Sequence, residues 1–441
     1  MDPKFIIEGG HQLLREVGTF KLGSLTIREP DYGSGSRAVP MRSPNDVKYV
    51  RITDFGEDGI PAGHEFVTAE TVELTCRLEE EDVLFARSGA TAGKTFIFTE
   101  DIAPAVFAGY CIRFRFDRKR ILPWFVYFYT KTQRYEAWVR SIQRPSGQPN
   151  INKEEFKSFR IPVPDIEVQR RLVTNMLGAR EARKRNLDQA DALLSGMDTF
   201  LLAQLSLTLP AEDNRLSFAI RLASLNSARL DAHFFRPPFG KLLTTLLRTR
   251  HKKLGDVARL SHQQSNPQDM GGETFRYIEI GGVNRMTGEV SVANVATSEA
   301  PSRARMIVQK GDIIVSLTRP HHGSIALIDD ELAGCIASTG FAIIREITDP
   351  SLDPRYLLTV LRSQICLRQM LQRSSGGNYP AITEDELLNI LIPVPATDIQ
   401  LRITEEFSRR HEEARRLRAE AAKEWEEAKA NFERQLLAGN Q

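Results

Sequence analysis

The sequence predicts an α+β protein. Two similar strand-rich domains are separated and braced by two long antiparallel helices that form an intramolecular coiled coil. Three observations carry this. Blocks of sequence recur in the same order about 230 residues apart. Each copy alternates short β-branched and aromatic runs with Gly, Pro, Asn and Asp turns. Each copy then gives way to a long proline-free amphipathic run.

The repeat is anchored by RIPVPDIEVQRRL from Arg160, which returns as LIPVPATDIQLRI from Leu391. EDVLFARSGATAGKT from Glu81 aligns without a gap on GDIIVSLTRPHHGSI from Gly311. FKLGSLTI at Phe20 matches KKLGDVARL near Lys253, and KYVRITDF at Lys48 matches RYIEIGGV at Arg276. RPSGQPNINKEEF at Arg144 matches RSSGGNYPAITEDEL at Arg373. The pieces LPWFVYFYTKTQ from Leu122 and LDPRYLLTVLRSQ from Leu352 are amphipathic at helical spacing, so each domain carries helices beside its strands.

After each IPVP the prolines end an extended segment and a helix begins. From Ile166 to Leu205 the apolar seam runs Leu172, Met176, Ala179, Leu187, Ala190, Leu194, Met197, Leu201 and Leu205. From Asp398 to Leu437 it runs Ile399, Ile403, Phe407, Ala414, Leu417, Ala421, Trp425, Ala428, Phe432 and Leu436. Spacings of three and four suit a coiled-coil seam, and each helix would be roughly 60 Å long. One such stripe needs a partner, and the other helix supplies it. The expected divisions are 1–165, 166–205, 206–251, 252–396 and 397–441, with 206–251 a linker and entry to the second half.

A chain of 441 residues with 41% hydrophobic content has room for two or three cores. Its 59 basic and 57 acidic residues leave a formal charge of +2, so local charge must reveal any polyanionic partner. Four scattered cysteines with no C-x-x-C pair argue against a zinc site or a disulfide framework. No signal-like start and no 18-residue apolar window is present, which predicts a cytoplasmic protein with no membrane contact.

SGATAGKT at Ser88 resembles a nucleotide-binding P-loop, with Gly93, Lys94 and Thr95 in place and Ser88 where the first glycine belongs. A P-loop leads into a helix, yet the β-prone Phe96-Ile97-Phe98 follows here. In the second copy Ser324 replaces Lys94 while Gly323 is kept. That pattern describes a glycine-containing turn between two strands with variable side chains.

The order domain, long helix, domain, long helix, with GDIIVS, SGxxxxxI and IPVP, resembles the DNA specificity subunit of type I restriction-modification systems. RLDAHFFRPPF at Arg229 is similar to the segment that opens a recognition domain in that family. The resemblance implies two target recognition domains, each reading its own short sequence in double-stranded DNA, so that the whole site is bipartite and asymmetric. It implies helices that set the gap and dock two methyltransferase (modification) subunits acting on adenine. It also implies S-adenosylmethionine in the partner methyltransferase, no cofactor in this chain, and ATP-dependent restriction subunits as further partners. Two other readings stand beside it: a P-loop-like nucleotide hydrolase, and a stand-alone DNA-binding or scaffold protein.

No acid, base and metal constellation emerges from the sequence. RPPF at Arg236 is the nearest match to an adenine methyltransferase motif, but arginine cannot accept the amino hydrogen bond that chemistry needs. Adjacent His321 and His322 lack a carboxylate at metal-ligand spacing and fit a loop tip. DNA contacts are therefore expected from three loops in each half, since rigid scaffolds present reading residues on connections. The first loop offers Arg87, Ser88, Thr91 and Lys94, against Thr318, Arg319, His321, His322 and Ser324. The second offers Ser146, Gln148 and Asn150, against Ser375, Asn378 and Tyr379. The third offers Thr53 and Asp54, against Asn284 and Arg285. Two basic runs, RFRFDRKR from Arg113 and KLLTTLLRTRHKK from Lys241, are candidates to track phosphates. The C-terminal helix mixes nine basic and ten acidic residues from Ala396 onward, which suits a solvated or docking face.

Overall fold

The computed structural model describes residues 18–56, 66–142, 149–213, 215, 217–220, 229 and 231–437. The chain forms two compact units, Met1–Leu187 with Arg418–Gln441, and Asp188–Leu417. Each unit holds one copy of the repeat and a stretch of both long helices.

In the first unit the strands are β1 (Thr19–Lys21), β2 (Asp31–Tyr32), β3 (Ala38–Pro40), β4 (Lys48–Val50) and β5 (Val67–Ala69). They continue with β6 (Val83–Ala86), β7 (Thr95–Ile97), β8 (Ala105–Phe107), β9 (Cys111–Phe114) and β10 (Arg160–Pro162). They make an antiparallel sheet ordered β2-β9-β6-β7, a second sheet ordered β3-β5-β4-β8, and a β1-β10 pair. Strand β6 shows why VLFA reads as an unbroken apolar run. Its alternate residues Val83 and Phe85 join a core with Phe114, Phe125 and Phe156, while Leu84 and Ala86 join Tyr49, Val50 and Phe107 of the second sheet. A sheet buried on both faces has no polar side to display.

Helices cover the outer face of that sheet. Pro123–Tyr129 starts on a proline, which suits the first helical position, and Gln133–Ile142 follows it. Lys153–Ser158 starts in a capping box, where Asn152 Oδ1 accepts from Glu155 N at 2.9 Å and Asn152 N donates to Glu155 Oε2 at 2.7 Å. Leu172, Val173 and Met176 from the central helix Ile166–Ser195 join the same core, as do Trp425, Phe432 and Leu436 from the C-terminal helix Thr397–Leu437.

The second unit repeats the plan. Its strands are β11 (His251–Lys253), β12 (Ala258–Leu260), β13 (Thr274–Ile278), β14 (Ala293–Ala296) and β15 (Ala304–Ile307). The rest are β16 (Ile313–Ser316), β17 (Ile325–Leu327), β18 (Ile336–Ser338), β19 (Phe341–Ile347) and β20 (Leu391–Pro393). The sheets run β12-β19-β16-β17 and β14-β13-β18-β15, with a β11-β20 pair. In both units one strand pair of the second sheet is parallel, β4 with β8 and β13 with β18. The units differ at an edge, where β3 extends the sheet through β5 but β15 extends it through β18.

A buried glutamine ties each long helix to its domain in the same way. Gln169 Oε1 accepts from Leu122 N at 2.9 Å, and its Nε2 donates to Arg120 O and Pro164 O. Gln400 Oε1 accepts from Asp353 N at 2.9 Å, and its Nε2 donates to Ser351 O and Pro395 O. Each amide thereby fills three hydrogen bonds in a site closed to water.

Within the second unit the two helices pack antiparallel. Arg402 reaches Gln204, and a Cβ on Gly196 would lie 3.1 Å from Arg410 Nη1, so numbering falls on one helix as it rises on the other. Ala190, Leu194 and Met197 meet Ala414 and Leu417 there. The expected unbroken run from Ile166 to Leu205 is corrected at one point. It divides at Gly196 into Ile166–Ser195 and Met197–Gln204, although backbone bonds still cross the glycine from Gly196 N to Ala192 O and from Phe200 N to Gly196 O. Glycine weakens a helix interior, and here it also leaves room for the arginine.

Candidate nucleic-acid interface

The opening loop of the first domain is a hairpin turn between β6 and β7. Gly93 has φ +91°, a left-handed backbone, and a Cβ there would come within 2.7 Å of Val139. Tyr135 donates its hydroxyl to Gly93 O at 2.8 Å, pinning the turn to helix Gln133–Ile142. Its counterpart between β16 and β17 keeps the same device, with Gly323 at φ +77°. The P-loop reading fails here on geometry. A strand follows the turn where a P-loop leads directly into a helix, and Thr95 is buried with its hydroxyl on Thr130 Oγ1 at 2.5 Å.

In the first unit the structure brings Arg87, Ser88 and Asn150 together. Arg87 Nε donates to Asn150 Oδ1 at 3.4 Å, Ser88 bridges Asn150 through the backbone, and Gly89 N donates to Pro149 O at 2.9 Å. Lys94 is exposed at the other end of the turn, beside a cleft of about 410 Å³ that Lys131, Arg140 and Lys429 also line. Ser146 and Gln148 lie outside the described residues. Thr53 is exposed on the turn Ile52–Asp54.

In the second unit all three expected loops converge. Arg319 N donates to Pro380 O at 2.7 Å, and its guanidinium donates to Asn378 O from Nη2 at 2.8 Å. The same group lies 4.4 Å from the ring centre of Tyr379. His321 and His322 meet edge to face at 4.5 Å, within reach of the charges of Arg285 and Arg319. Thr318 bridges Ala381, and Ser375 is exposed on the same loop. Asn284 is exposed too, although its Oδ1 is engaged by the backbone N–H groups of Met286 and Thr287. Arg362, outside the three expected loops, holds this turn by donating to Met286 O and Thr287 O. No local motif marks it, since the clamp joins residues far apart in the chain.

Three expected contacts are corrected. Asp54 is 1% exposed, and its carboxylate accepts from Arg51 N at 2.6 Å, so it stabilises its own turn. Ser324 is 4% exposed, folded under the hairpin at the position of the exposed Lys94. Thr91 turns its hydroxyl inward, where it is buried without a hydrogen-bond partner among the described residues.

Burial, then the neighbouring cationic groups, hold His321 and His322 below the ordinary imidazole range. Both are neutral near pH 7 in the free protein. A phosphate brought alongside would favour the charged form, so the second domain should bind DNA more tightly as pH falls from neutral into the acidic range. The slope approaches roughly one log unit of affinity per pH unit for each proton taken up. Stability moves the other way. The folded pKa lies below the unfolded one, so the unfolded chain gains protons first as pH drops. Titrating binding of a half-site duplex from pH 7.5 to 5.5 checks this, and H321N/H322N should flatten the profile.

A model of the family described as the type I restriction modification DNA specificity domain matches residues 40–176 and again residues 250–417. The chain belongs to this DNA specificity family. Among its curated relatives, the type I restriction enzyme MjaVIII specificity subunit of Methanocaldococcus jannaschii is 20% identical over 80% of this chain and 76% of its own length. The type I restriction enzyme HindI specificity subunit of Haemophilus influenzae is 29% identical over 25% of this chain and 24% of its own. A solved chain from a type I R-M system, described for its complex assembly and conformational transition, aligns over 96% of this chain and 97% of its own, with 17% identity and a TM-score of 0.48.

For a DNA specificity subunit, RFRFDRKR would be an obvious phosphate track, and the structure corrects that expectation. Arg113 is 1% exposed and donates to Asp31 at 2.6 and 3.0 Å and to the carbonyls of Arg77 and Thr75. Arg115 binds Asp82 through Nε and Nη2, Arg118 pairs with Glu81, and Arg120 donates to Ser24 O. The second domain repeats the central pair, Arg345 binding Asp312 at 3.0 and 2.8 Å. In this specificity subunit Arg113 and Arg115 are scaffold, while Arg118, Lys119 and Arg120 stay exposed. RPPF likewise opens helix Pro237–Leu246, with Arg236 Nη2 donating to Asp213 O.

Proposed function

We propose that the chain is a non-catalytic recognition subunit that brings adenine methyltransferase to an asymmetric, two-part DNA site. Its duplicated surface supports this most directly. The same hairpin with a left-handed glycine occurs in both domains, bridged from Ser88 to Asn150 in one and from Thr318 to Ala381 in the other, yet the two surfaces carry Arg87, Ser88, Lys94 and Asn150 in one and Thr318, Arg319, His321, His322 and Tyr379 in the other. Equal frames place the two surfaces alike on DNA, and unlike side chains make them prefer unlike sequences. Identical halves would favour a palindrome.

The remaining parts follow from the long helices. Their mixed-charge outer faces dock two methyltransferase subunits, which hold S-adenosylmethionine, and ATP-dependent restriction subunits join for cleavage. The paired helices fix the gap between half-sites. No helix among the described residues is long and apolar enough to cross a membrane, and a cytoplasmic setting with access to DNA suits the role. Co-expression with the cognate methyltransferase and mapping of methylated adenine across a genome tests the proposal. A split motif with a constant gap is expected, whereas methylation unchanged by the chain would end it.

A further inference from the structure

In both domains an arginine of the hairpin region lies against an exposed tyrosine. Arg87 Cζ is 5.0 Å from the ring centre of Tyr32, and Arg319 Cζ is 4.4 Å from that of Tyr379. Tyr32 is 41% exposed and Tyr379 is 70% exposed, so neither ring serves mainly as core. The two tyrosines come from different parts of the repeat, one from strand β2 and the other from the loop after helix Gln364–Arg373. Shared sequence blocks therefore do not account for the pairing. In the gap-free alignment Arg87 matches Leu317 and Arg319 matches Gly89, two positions apart, so different residues reach a similar arginine–tyrosine contact within each hairpin region.

Each arginine is also fixed at its edges. Arg87 N donates to Tyr110 O at 3.0 Å, and its Nε faces Asn150 Oδ1. Arg319 has φ +48°, a left-handed conformation that costs a non-glycine residue, and it is retained by the bond to Pro380 O and the two guanidinium bonds to Asn378 O. Among the described residues neither arginine forms an ion pair with a carboxylate, in contrast to the scaffold arginines Arg113, Arg115 and Arg345. Beside Arg87 opens a cleft of about 430 Å³ lined by Ser34, Ser36, Ser88 and Tyr110. It offers hydroxyl groups and room for a base edge.

We propose that each domain reads a guanine with this arginine, Arg87 in one half-site and Arg319 in the other, and that Tyr32 and Tyr379 are positioning residues. The inference rests on the two-half-site reading above. A phosphate asks only for positive charge, which a mobile side chain supplies. Guanine O6 and N7 ask for a planar fork at a set angle, and stacking fixes that plane before DNA arrives. Ordering the side chain in advance reduces the entropy lost on binding.

The test uses the full chain with its methyltransferase, mapping adenine methylation for the wild type, R87K, R87A, R319K, R319A and the tyrosine variants. Lysine keeps the charge and loses the fork. R87K should relax one fixed G·C position in one half-site by about 5- to 150-fold in preference and leave the other half-site unchanged. R319K should do the converse. Y32F and Y379F should retain the preference, while Y32L and Y379L should reproduce the lysine effect. Faithful reading of the untouched half-site shows in the same experiment that the protein is folded.

Three results would overturn the proposal: lysine variants that keep the full motif while alanine variants lower methylation at all sites alike, a wild-type half-site with no fixed G·C pair, or leucine variants with unaltered preference. The first of these assigns the arginines to phosphate. An undivided wild-type motif would instead overturn the two-half-site reading, and each arginine would then be judged by relaxation at a G·C pair of that single motif.

Discussion

Replacing Arg113 with alanine is expected to destabilise the first domain strongly and not simply to weaken its hold on DNA. The guanidinium sits between Asp31 and Asp82 with 1% of its side chain exposed, while Asp82 has 2% exposed and also receives Arg115. Removing it takes a donor from the carbonyls of Arg77 and Thr75 and leaves the buried Asp82 carboxylate with one guanidinium fewer. Breaking a buried charge network costs about 3–5 kcal/mol, a large share of the stability of an ordinary domain. Arg345 makes the corresponding pair in the second domain but is 25% exposed, so R345A should cost less, about 1.5–3 kcal/mol. Denaturant unfolding of the two variants measures both. An unchanged midpoint for R113A, with a shallower salt dependence of DNA binding, would return this arginine to the phosphate track.

Shortening the helix pair should move the two half-sites together. Deleting residues 181–187 from one helix and 418–424 from the other removes two turns from each. The seams can then re-form with a rotation of only about 20°. Seven residues correspond to roughly 10 Å of helix, or about three base pairs of DNA. Three base pairs also turn the duplex by about 100°, so methylation should be slower as well as shifted to a shorter gap. A duplex library with gaps of every length reads both effects. If a folded, active variant methylated only the original gap, the helices would not be the ruler.

Much of the architecture was legible because it rests on local patterns. VLFA is apolar throughout, and IIVS up to its last residue Ser316, since β6 and β16 are buried on both faces, and the IPVP blocks mark the change from strand to helix. The hairpin turns could be paired by their glycines. The reading surface was only partly legible. Asp54 and Ser324 are the right residue types in the right loops, but burial depends on what folds over them. Arg113 looked like part of a basic run because its partners, Asp31 and Asp82, lie far away in sequence. Tyr32 and Arg362 carried no local signal for the same reason.

The buried amides of Gln169 and Gln400 have a consequence for how such proteins can diversify. Each amide belongs to the first turns of a long helix and binds only backbone of the preceding domain and the IPVP junction. The launch angle of the helix is thus set before its long seam begins. A genetic crossover placed just beyond either glutamine would carry a whole domain together with its mounting. Chimaeras joined there should inherit a correctly aimed helix, so new pairs of half-site preferences could arise by exchange of parts, with no redesign of the span between them.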